Sequence, residues 1–336
     1  MNKYSVGIVG FRGYSGAEAV RLLAGHPNCE SVLLEHRADS GEDAKLLHKR
    51  AIRRASSTPE SVAAEGLKAV LLATPPEVSM DLTPKFLNAG VAVVDLSGAF
   101  RLRTPERYKQ WYKEEHTAPE LLEQAAYGLP EYNRECVANA RLVSNPGCYP
   151  TAANLAIRPL VAAGIVDRSA GIICDAKSGV SGAGRKPSLK TSFCETTENF
   201  SAYSILKHRH VPEVLLTSGL EEREFSFTAQ LLPIDRGILE AIYFRMAKPL
   251  SGADIVGIYE KQYANEPFIR LYEPGAVPDL RAVARTNFCD IGVVADPGSG
   301  RCVVVSAIDN LVKGAAGQAI QNLNLVLGLP ETTGLL

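Results

Sequence analysis

One cysteine stands where the chain passes from a short apolar stretch to a helix-like one. Cys148 lies in the segment Ser-Asn-Pro-Gly-Cys-Tyr-Pro-Thr of residues 144–151, between the apolar residues 142–143 and the run 152–160. The Pro-Gly pair before it favours a turn, and the proline after it suits the first turn of a helix. Free backbone N–H groups and the helix dipole would favour its thiolate. The segment therefore predicts either a nucleophile or a structural cysteine in a turn.

A histidine pair could supply a base for such a nucleophile. His208 and His210 form the one close pair among the six histidines. On an extended segment, residues i and i+2 face the same side. A Cys–His nucleophile system needs a base of this kind, and no neighbouring residue stands at metal-ligand spacing, so no metal is predicted. The pair could equally be polar surface, and the sequence does not say which histidine would move a proton.

Three glycines at G-x-x-G-x-x-G spacing follow a short apolar strand, and a helix pattern that ends at Gly25 follows them. Glycine lets a backbone approach a pyrophosphate, which binds at a helix N-terminus. The alternative is a tight glycine turn without a ligand. The predicted dinucleotide contacts are Gly10, Gly13, Tyr14, Ser15 and Gly16.

The residues after the second strand bear on the type of dinucleotide. Glu35 stands near the place of the carboxylate that reads the ribose in NAD-binding proteins, but His36 and Arg37 follow at once. A basic residue there accommodates the 2′-phosphate of NADP. We therefore predict NADP, bound in part by Arg37, against the alternative of a solvated loop charge.

A loop rich in glycine and serine, residues 177–186, carries flanking cations. Backbone N–H groups in such loops bind anions, so we predict a phosphate or cofactor loop that includes Ser178, Gly179 and Gly182. A flexible linker is the alternative interpretation.

The elements around these segments fall into two classes. Strands that are apolar throughout, at 6–9, 32–34, 69–73 and 91–94, alternate with helix patterns, which is typical of a parallel sheet covered on both faces. The second half has strands joined by short turns, followed by a tail helix over 311–327. We predict an α/β protein: an N-terminal Rossmann-like, doubly wound parallel sheet plus an α+β domain with a mostly antiparallel sheet.

Composition excludes several classes of partner. The 336 residues carry a formal net charge of −1, which gives no reason to expect nucleic acid or an anionic membrane surface as partner. No apolar run is long enough to span a bilayer, and the first residues enter a strand without room for a signal peptide. Seven cysteines without a C-x-x-C pair indicate reduced thiols in a cytoplasmic protein.

Ordered blocks along nearly the whole chain resemble the N-acetyl-γ-glutamyl-phosphate reductase family, which is related to aspartate-semialdehyde dehydrogenase. The chain departs from the family pattern at Ala99, where an acidic residue is common, and at Phe11-Arg12, where small residues are common. The blocks are 10–16, 95–97 with 100–101, 127–131, 145–151, 178–185, 208–213 and 309–315.

The resemblance implies NADPH-dependent reduction of N-acetyl-L-glutamyl 5-phosphate to the 5-semialdehyde, with release of phosphate, in arginine biosynthesis. Cys148 would form a thioester, and His208 or His210 would move the proton. Asn310 would join the NADP contacts, and Arg101 and Asn145 would bind substrate.

The resemblance also implies two domains and an assembly. Residues 1–147 would bind NADP, completed by a C-terminal helix over 311–336, and residues 148–310 would hold the catalytic and dimerisation functions of a homodimer or homotetramer. Two other functions stay open: reduction of another acyl phosphate, such as aspartyl or aminoadipyl phosphate, and a non-catalytic NADP-binding sensor.

Overall fold

The computed structural model describes residues 3–36 and 52–336, whose strands form two seven-stranded sheets. The strands are β1 (Tyr4–Val9), β2 (Cys29–Glu35), β3 (Arg53–Ser56), β4 (Ala69–Leu72), β5 (Ala92–Asp95), β6 (Ala126–Tyr127), β7 (Leu142–Ser144), β8 (Ile172–Gly179), β9 (Ser201–Tyr203), β10 (Phe225–Leu232), β11 (Ile238–Arg245), β12 (Ile269–Leu271), β13 (Cys289–Asp296) and β14 (Arg301–Ile308). The α-helices are α1 (Tyr14–Ala24), α2 (Pro59–Ala64), α3 (Pro76–Asn88), α4 (Pro105–Tyr112), α5 (Pro130–Ala138), α6 (Cys148–Ala162), α7 (Phe193–Thr196), α8 (Val211–Ser218), α9 (Gly252–Tyr263), α10 (Leu280–Val283) and α11 (Gly317–Val326).

The first sheet is parallel throughout, with the strand order β3-β2-β1-β4-β5-β7-β6. Its central strands are buried on both faces, and Val6, Leu71 and Val93 have no exposed surface. This burial explains why the buried positions of these strands are mostly apolar. The predicted doubly wound parallel sheet is confirmed. Strands β3 and β6 were not predicted because neither is a run of several apolar residues.

The second sheet has the strand order β12-β13-β14-β11-β8-β10-β9. Its pairs β8–β11, β11–β14, β13–β14 and β9–β10 are antiparallel, whereas β8–β10 and β12–β13 are parallel. The predicted, mostly antiparallel sheet is confirmed. Helices α6 and α9 pack on this sheet, and side chains alternate between the helix-covered face and the other face, as Ile172 and Ile173 do in β8.

The chain divides into two compact units. One contains residues 1–105, 115–145 and 319–336, and the other contains residues 106–114 and 146–318. The first sheet lies in the former unit and the second sheet in the latter. The predicted continuous tail helix is wrong in its first turn, because Val312–Ala316 form a π-helical turn before α11 begins.

Within the first unit, the segment 319–336 supplies hydrogen bonds to residues far away in the chain. The Asn322 side-chain amide donates to the carbonyl oxygen of Gly128 (2.8 Å) and to Oδ1 of Asn145 (3.0 Å). Asn324 Oδ1 lies 3.0 Å from Nε2 of the buried His26. These contacts make residues 319–336 an integral part of the unit.

Within residues 3–36 and 52–336, no helix is both long and apolar enough to cross a membrane. No group of three or more His, Cys, Asp or Glu side chains there is placed to hold a metal ion. All seven cysteines are free thiols.

Candidate active site

The Cys148 sulfur sits at the start of a long buried helix. α6 begins at Cys148, and its N-cap is Gly147, which has extended backbone angles and offers no side-chain cap. The Gly147 N–H donates to Oε2 of Glu213 at 2.9 Å. Cys148 is half-buried. The structure therefore places this thiol at the positive end of a helix dipole.

His210 packs directly against the residue that precedes the cysteine. A Cβ atom added at Gly147 would lie 2.7 Å from Nε2 of His210, closer than real contacts allow. Glycine is thus required at position 147 because the imidazole occupies the space of a side chain. His210 is buried, and its ring belongs to the immediate surroundings of Cys148.

His208 occupies an aromatic cage instead. Its ring centroid lies 5.4 Å from that of Tyr149, 5.6 Å from that of Tyr203 and 5.4 Å from that of Phe227. Burial, and then the charge of Arg209, lower the pKa of His208 to about 4. His208 is therefore neutral at pH 7.

The two histidines do not lie on an extended segment, so that prediction is wrong. They stand in turns that lead into α8, and His210 is the N-cap of α8 in the right-handed helical region (φ −87°, ψ −12°). Their ring centroids are nevertheless 4.8 Å apart. The backbone N–H of His210 donates a hydrogen bond to Nδ1 of His208 (3.2 Å), which holds the turn. Because Nδ1 is the acceptor, the ring proton of neutral His208 lies on Nε2.

A cavity of about 710 Å³ in the second unit opens beside Cys148 and both histidines. Its charged lining, apart from the histidines, is Lys190, Lys207 and Arg209 against the single acid Glu195. Such an excess of positive charge suits an anionic ligand. Further lining residues are Tyr149, Ser178, Gly182, Ala183, Ser188, Thr191, Thr196, Asn199, Ser201, Ala202, Tyr203, Ser204, Leu231 and Leu232.

Two tyrosine hydroxyls meet at the wall of this cavity. The Tyr149 and Tyr203 hydroxyl oxygens lie 3.0 Å apart, and the Tyr149 hydroxyl also donates to the carbonyl oxygen of Gln230 at 3.4 Å. Burial raises the pKa of Tyr203 to about 12 and raises that of Tyr149 as well, with Cys148 among the further causes in both. Both phenols therefore stay protonated and neutral at pH 7.

The π-helical turn at 312–316 also lies close to Cys148. A Cβ atom at Gly314 would lie 2.9 Å from Cβ of Cys148. π-turns inside helices are often found at functional sites. Glu213 and Gly314 both lie within blocks that carried the family resemblance, but spacing alone gave no signal of their contact with residues 147 and 148.

The glycine–serine loop is ordered by contacts to two other segments. Asn310 accepts a hydrogen bond from the Gly237 N–H (2.8 Å) and donates to Oγ of Ser181 (2.9 Å). A Cβ atom at Gly182 would lie 2.9 Å from Oγ of Ser178. The structure thus brings the predicted residues Ser178, Gly182 and Asn310 together.

Four of the loop's backbone donors already have acceptors. The N–H groups of Gly179, Val180, Ser181 and Gly184 donate to backbone carbonyl oxygens. The predicted binding of an anion by exposed N–H groups therefore does not hold at these four positions. The hydrogen bonds close the loop against residues 234–237 because Gly179 has no side chain to block Asp235.

The glycine loop of the first unit has the form that a pyrophosphate needs. Gly10 has φ +79°, and a Cβ atom there would lie 2.2 Å from the carbonyl oxygen of Ala73. A Cβ atom at Gly16 would lie 2.3 Å from the carbonyl oxygen of Gly10. α1 begins at Tyr14-Ser15 after the N-cap Gly13, with no side-chain cap and no acidic residue in its first turn. The residues present therefore fit a dinucleotide phosphate at the helix N-terminus.

The remaining predicted contacts lie in or near this unit. Arg101 is buried, and its guanidinium donates to the carbonyl oxygens of Asn145 and Leu96, both at 2.8 Å. Asn145 is buried and accepts from Asn322. In this structure Arg101 thus fixes the backbone just before the Cys148 segment. Arg37 lies outside the described residues.

Comparison with known proteins gives a consistent result over nearly the whole chain. Residues 5–140 match the family model for the NAD binding domain of semialdehyde dehydrogenases, and residues 148–310 match the one for their dimerisation domain. The chain is 48% identical to the N-acetyl-gamma-glutamyl-phosphate reductases of Symbiobacterium thermophilum and of Desulforudis audaxviator, covering 98% of this chain and 97% of each relative.

Solved structures of the same fold are more distant in sequence. Aspartate semialdehyde dehydrogenase II of Vibrio cholerae, complexed with ASA, superposes with a TM-score of 0.73 at 20% identity, over 98% of this chain and 99% of that one. The aspartate semialdehyde dehydrogenase of Candida albicans with NADP gives a TM-score of 0.68 at 17% identity, over 97% and 99%.

Proposed function

This chain belongs to the N-acetyl-γ-glutamyl-phosphate reductase family and is an oxidoreductase, and we propose that it reduces N-acetyl-L-glutamyl 5-phosphate to the 5-semialdehyde with NADPH, releasing phosphate. The reaction would serve arginine biosynthesis in the cytoplasm, a setting with which seven free thiols agree. One observation carries the proposal: a half-buried thiol at a helix N-terminus, with an imidazole packed against the preceding residue.

In the proposed reaction the Cys148 thiolate attacks the acyl carbon, and the C–O bond to phosphate breaks to leave a thioester. The thioester carbonyl accepts the hydride that the reduced nicotinamide supplies when bound. The resulting thiohemiacetal collapses to the aldehyde and frees the thiolate. Sulfur suits the hydride transfer because a thioester accepts hydride more readily than a carboxylate does.

We assign the proton transfers to His210. Its Nε2 faces Gly147 beside the nucleophile, whereas His208 lies in an aromatic cage with a pKa near 4. A base whose pKa lies well below the operating pH is a weak catalyst of proton transfer, which argues against His208 in that role. His208 then serves as a positioning residue, because its Nδ1 accepts the His210 N–H.

The charge of the cavity supports a substrate that has two anionic groups, a carboxylate and a phosphate, and an acylated nitrogen. Lys190, Lys207 and Arg209 outnumber Glu195 along its lining. An aspartyl or aminoadipyl phosphate with a free α-ammonium would meet these like charges, whereas the acetamide of N-acetylglutamyl phosphate is neutral. Arg101 and Asn145 would act on substrate through the backbone that they fix before Cys148.

The proposed NADP contacts form two sets of residues. Gly10, Gly13, Tyr14, Ser15 and Gly16 would bind the pyrophosphate. Ser178, Gly179, Gly182 and Asn310 form the second candidate contact set. Their hydrogen bonds order the loop, and Ser178 and Gly182 also line the cavity that contains Cys148.

A row of apolar side chains supports self-association as a homodimer or homotetramer. The strand registers pair Ile173 with Tyr243, Tyr243 with Val303, and Val303 with Val294. Ile173, Tyr243 and Val294 are 53%, 43% and 44% exposed on one sheet face. Exposed apolar patches commonly mark interfaces. Tyr243→Glu should lower the mass measured by sedimentation equilibrium, whereas Val277→Glu, an exposed residue outside the row, should not.

The activity is tested most directly in reverse. NADP⁺ reduction by N-acetylglutamate 5-semialdehyde should depend strictly on phosphate and should exceed the rate with aspartate or aminoadipate semialdehyde. A higher rate with a free amino acid semialdehyde would reassign the substrate. A reactive Cys148 without turnover of any semialdehyde would favour the NADP-binding sensor.

A further inference from the structure

Of the two glycine-loop residues that depart from the family pattern, Phe11 and Arg12, the arginine makes an ion pair with Glu35. Arg12 donates from Nη1 to Oε2 of Glu35 (2.8 Å) and from Nη2 to Oε1 (3.1 Å). This bidentate geometry is the strong form of an Arg–carboxylate pair. It ties the loop after β1 to the end of β2.

A second guanidinium reaches the same carboxylate. Arg54, on the neighbouring strand β3, donates from Nη1 to Oε1 of Glu35 at 2.9 Å. The Phe11 ring lies against both arginines, with its centroid 4.5 Å from Cζ of Arg12 and 5.6 Å from Cζ of Arg54. Phe11 therefore braces the two cations by cation–π contact.

This cluster stands where the adenosine ribose binds in dinucleotide domains. Glu35 is the last residue of β2, the strand next to β1 and its glycine loop. In NAD-binding proteins an acid at this place accepts hydrogen bonds from the ribose 2′-hydroxyl. Here the arginines, Arg12 first, hold the pKa of Glu35 below its usual value, so the carboxylate is ionised and engaged.

Two guanidinium groups meet at this one carboxylate. The side chains of Arg12, Arg54 and Glu35 are all partly exposed, so a ligand can reach them. Three hydrogen bonds from the two guanidiniums already occupy most of the acceptor sites of the Glu35 carboxylate, which leaves little capacity for a 2′-hydroxyl. A phosphate dianion would instead meet both guanidinium forks, whose geometry matches it.

We propose that Arg12 and Arg54 bind the 2′-phosphate of NADP, with Glu35 as the positioning residue that holds both guanidiniums and Phe11 as their brace. The inference deepens the proposed function, since it rests on the choice of NADP. It gives the Phe11-Arg12 departure a purpose, and it adds residues on β3 and in the glycine loop to the predicted determinants of selectivity for NADP.

Binding of cofactor fragments tests the proposal without any turnover. Isothermal calorimetry would compare adenosine 2′,5′-bisphosphate with 5′-AMP on the full chain. Arg12→Gln and Arg54→Gln should each lower the affinity for the bisphosphate by about tenfold or more, as loss of a charge-assisted pair does. The affinity of each variant for 5′-AMP should change by less than twofold. Arg53→Gln is the matched control, because Arg53 lies on the same strand but pairs with Glu30 and Glu65.

Glu35→Gln distinguishes two possible roles of the Glu35 carboxylate, which are to hold the two guanidiniums or to accept a hydrogen bond from the ribose 2′-hydroxyl. The proposal expects 5′-AMP affinity to stay within twofold, whereas an acid that reads the 2′-hydroxyl would make it fall at least fivefold and overturn the proposal. Equal losses of both fragments in the arginine variants, or a selective loss only in Arg37→Gln, would overturn it too. Because these measurements involve no acyl phosphate, failure of the proposed reaction leaves their outcome independent.

Discussion

The nucleophile region and the glycine loop both depend on glycine, but for different physical reasons. At Gly147 and Gly314 the missing side chain makes room for other side-chain atoms, Nε2 of His210 and Cβ of Cys148. At Gly10 and Gly16 it makes room for backbone carbonyl oxygens, those of Ala73 and of Gly10 itself. One region is assembled from side chains of distant segments, and the other is mainly a local backbone shape.

The difference predicts how each region fails. A change in the nucleophile region should alter chemistry while the dinucleotide still binds. A change in the glycine loop should alter dinucleotide affinity while the thiol keeps its reactivity. Variants that affect both properties together would show that the two regions do not act separately.

The largest expected effect is loss of the nucleophile. Cys148→Ala should lower turnover by a thousandfold or more, because removing a nucleophile costs several orders of magnitude, while NADPH affinity stays within twofold. Stopped-flow NADPH oxidation and fluorescence titration measure the two properties. Cys136→Ala, an exposed thiol on α5, is the control and should be fully active. Residual activity of Cys148→Ala above about one per cent of wild type would contradict the thioester mechanism.

Loss of His210 should come next. His210→Asn should lower kcat by about a hundredfold or more, within the usual contribution of a general base, and should move the pH midpoint of Cys148 alkylation upward, since a cationic imidazole stabilises a thiolate. His208→Asn should act mainly on KM. Unshifted midpoints in both variants would leave the helix N-terminus as the sole activator of the sulfur.

His208 should make stability depend on pH. Its folded pKa of about 4 lies below the ordinary 6.5, so between these values the unfolded chain binds a proton that the folded chain does not. Stability is therefore full above pH 6.5 and is lost as pH falls towards 4, by about 3 kcal/mol at 1.36 kcal/mol per pKa unit.

Urea unfolding at pH 7, 5.5 and 4.5 would measure this dependence. The slope should flatten in His208→Asn and stay unchanged in His36→Asn, which alters an exposed histidine. The difference between variants isolates His208 from the buried His26 and His116, whose pKa values are also lowered by burial. Equal slopes in wild type and His208→Asn would refute the assignment.

Two alanine substitutions should separate the regions directly. Gly147→Ala should lower kcat about tenfold or more by displacing His210, with NADPH affinity unchanged. Gly16→Ala should lower NADPH affinity by a similar factor, with Cys148 alkylation unchanged. Each tenfold step corresponds to about 1.4 kcal/mol. Gly257→Ala on α9, where an added Cβ meets nothing within 4 Å, is the neutral control. Crossed effects would break the comparison.

The smallest expected effect concerns the rim of the cavity. Lys207→Met should raise KM for the acyl phosphate about threefold to fivefold, with kcat nearly unchanged, because an exposed charge contributes at most about 1 kcal/mol. Added salt should reduce the difference between the variant and wild type. Lys186→Met, an exposed cation outside the cavity lining, should leave KM unchanged. A loss confined to kcat would give Lys207 another role.

The contiguous features could be predicted from the sequence. Strands β4 and β5 are short apolar runs, and the glycine loop has its strand before it and its helix after it within residues 4–24. Each of these signals lies in one stretch of chain, so local periodicity and turn chemistry suffice to identify it.

Features that depend on distant approach could not be predicted. β8 and β10 pair in parallel because of the path the chain takes between them, which no local sequence pattern encodes. The histidine turn, the contact of Glu213 with residue 147 and the approach of Gly314 to Cys148 arise from the packing of α6, α8 and the π-turn. Arg12 and Arg54 meet Glu35 because β1, β2 and β3 are neighbours in space.

The hydrogen bonds of residues 319–336 also set an order of maturation. During synthesis the strands of the first unit leave the ribosome before Asn322, whose side-chain amide donates to Gly128 and to Asn145, 194 and 177 residues earlier in the chain. The unit that begins first is therefore completed last, after the whole of the other unit has been translated. A chain that stops before residue 319 lacks these hydrogen bonds, so we expect its parallel-sheet unit to unfold more readily than that of the chain described here.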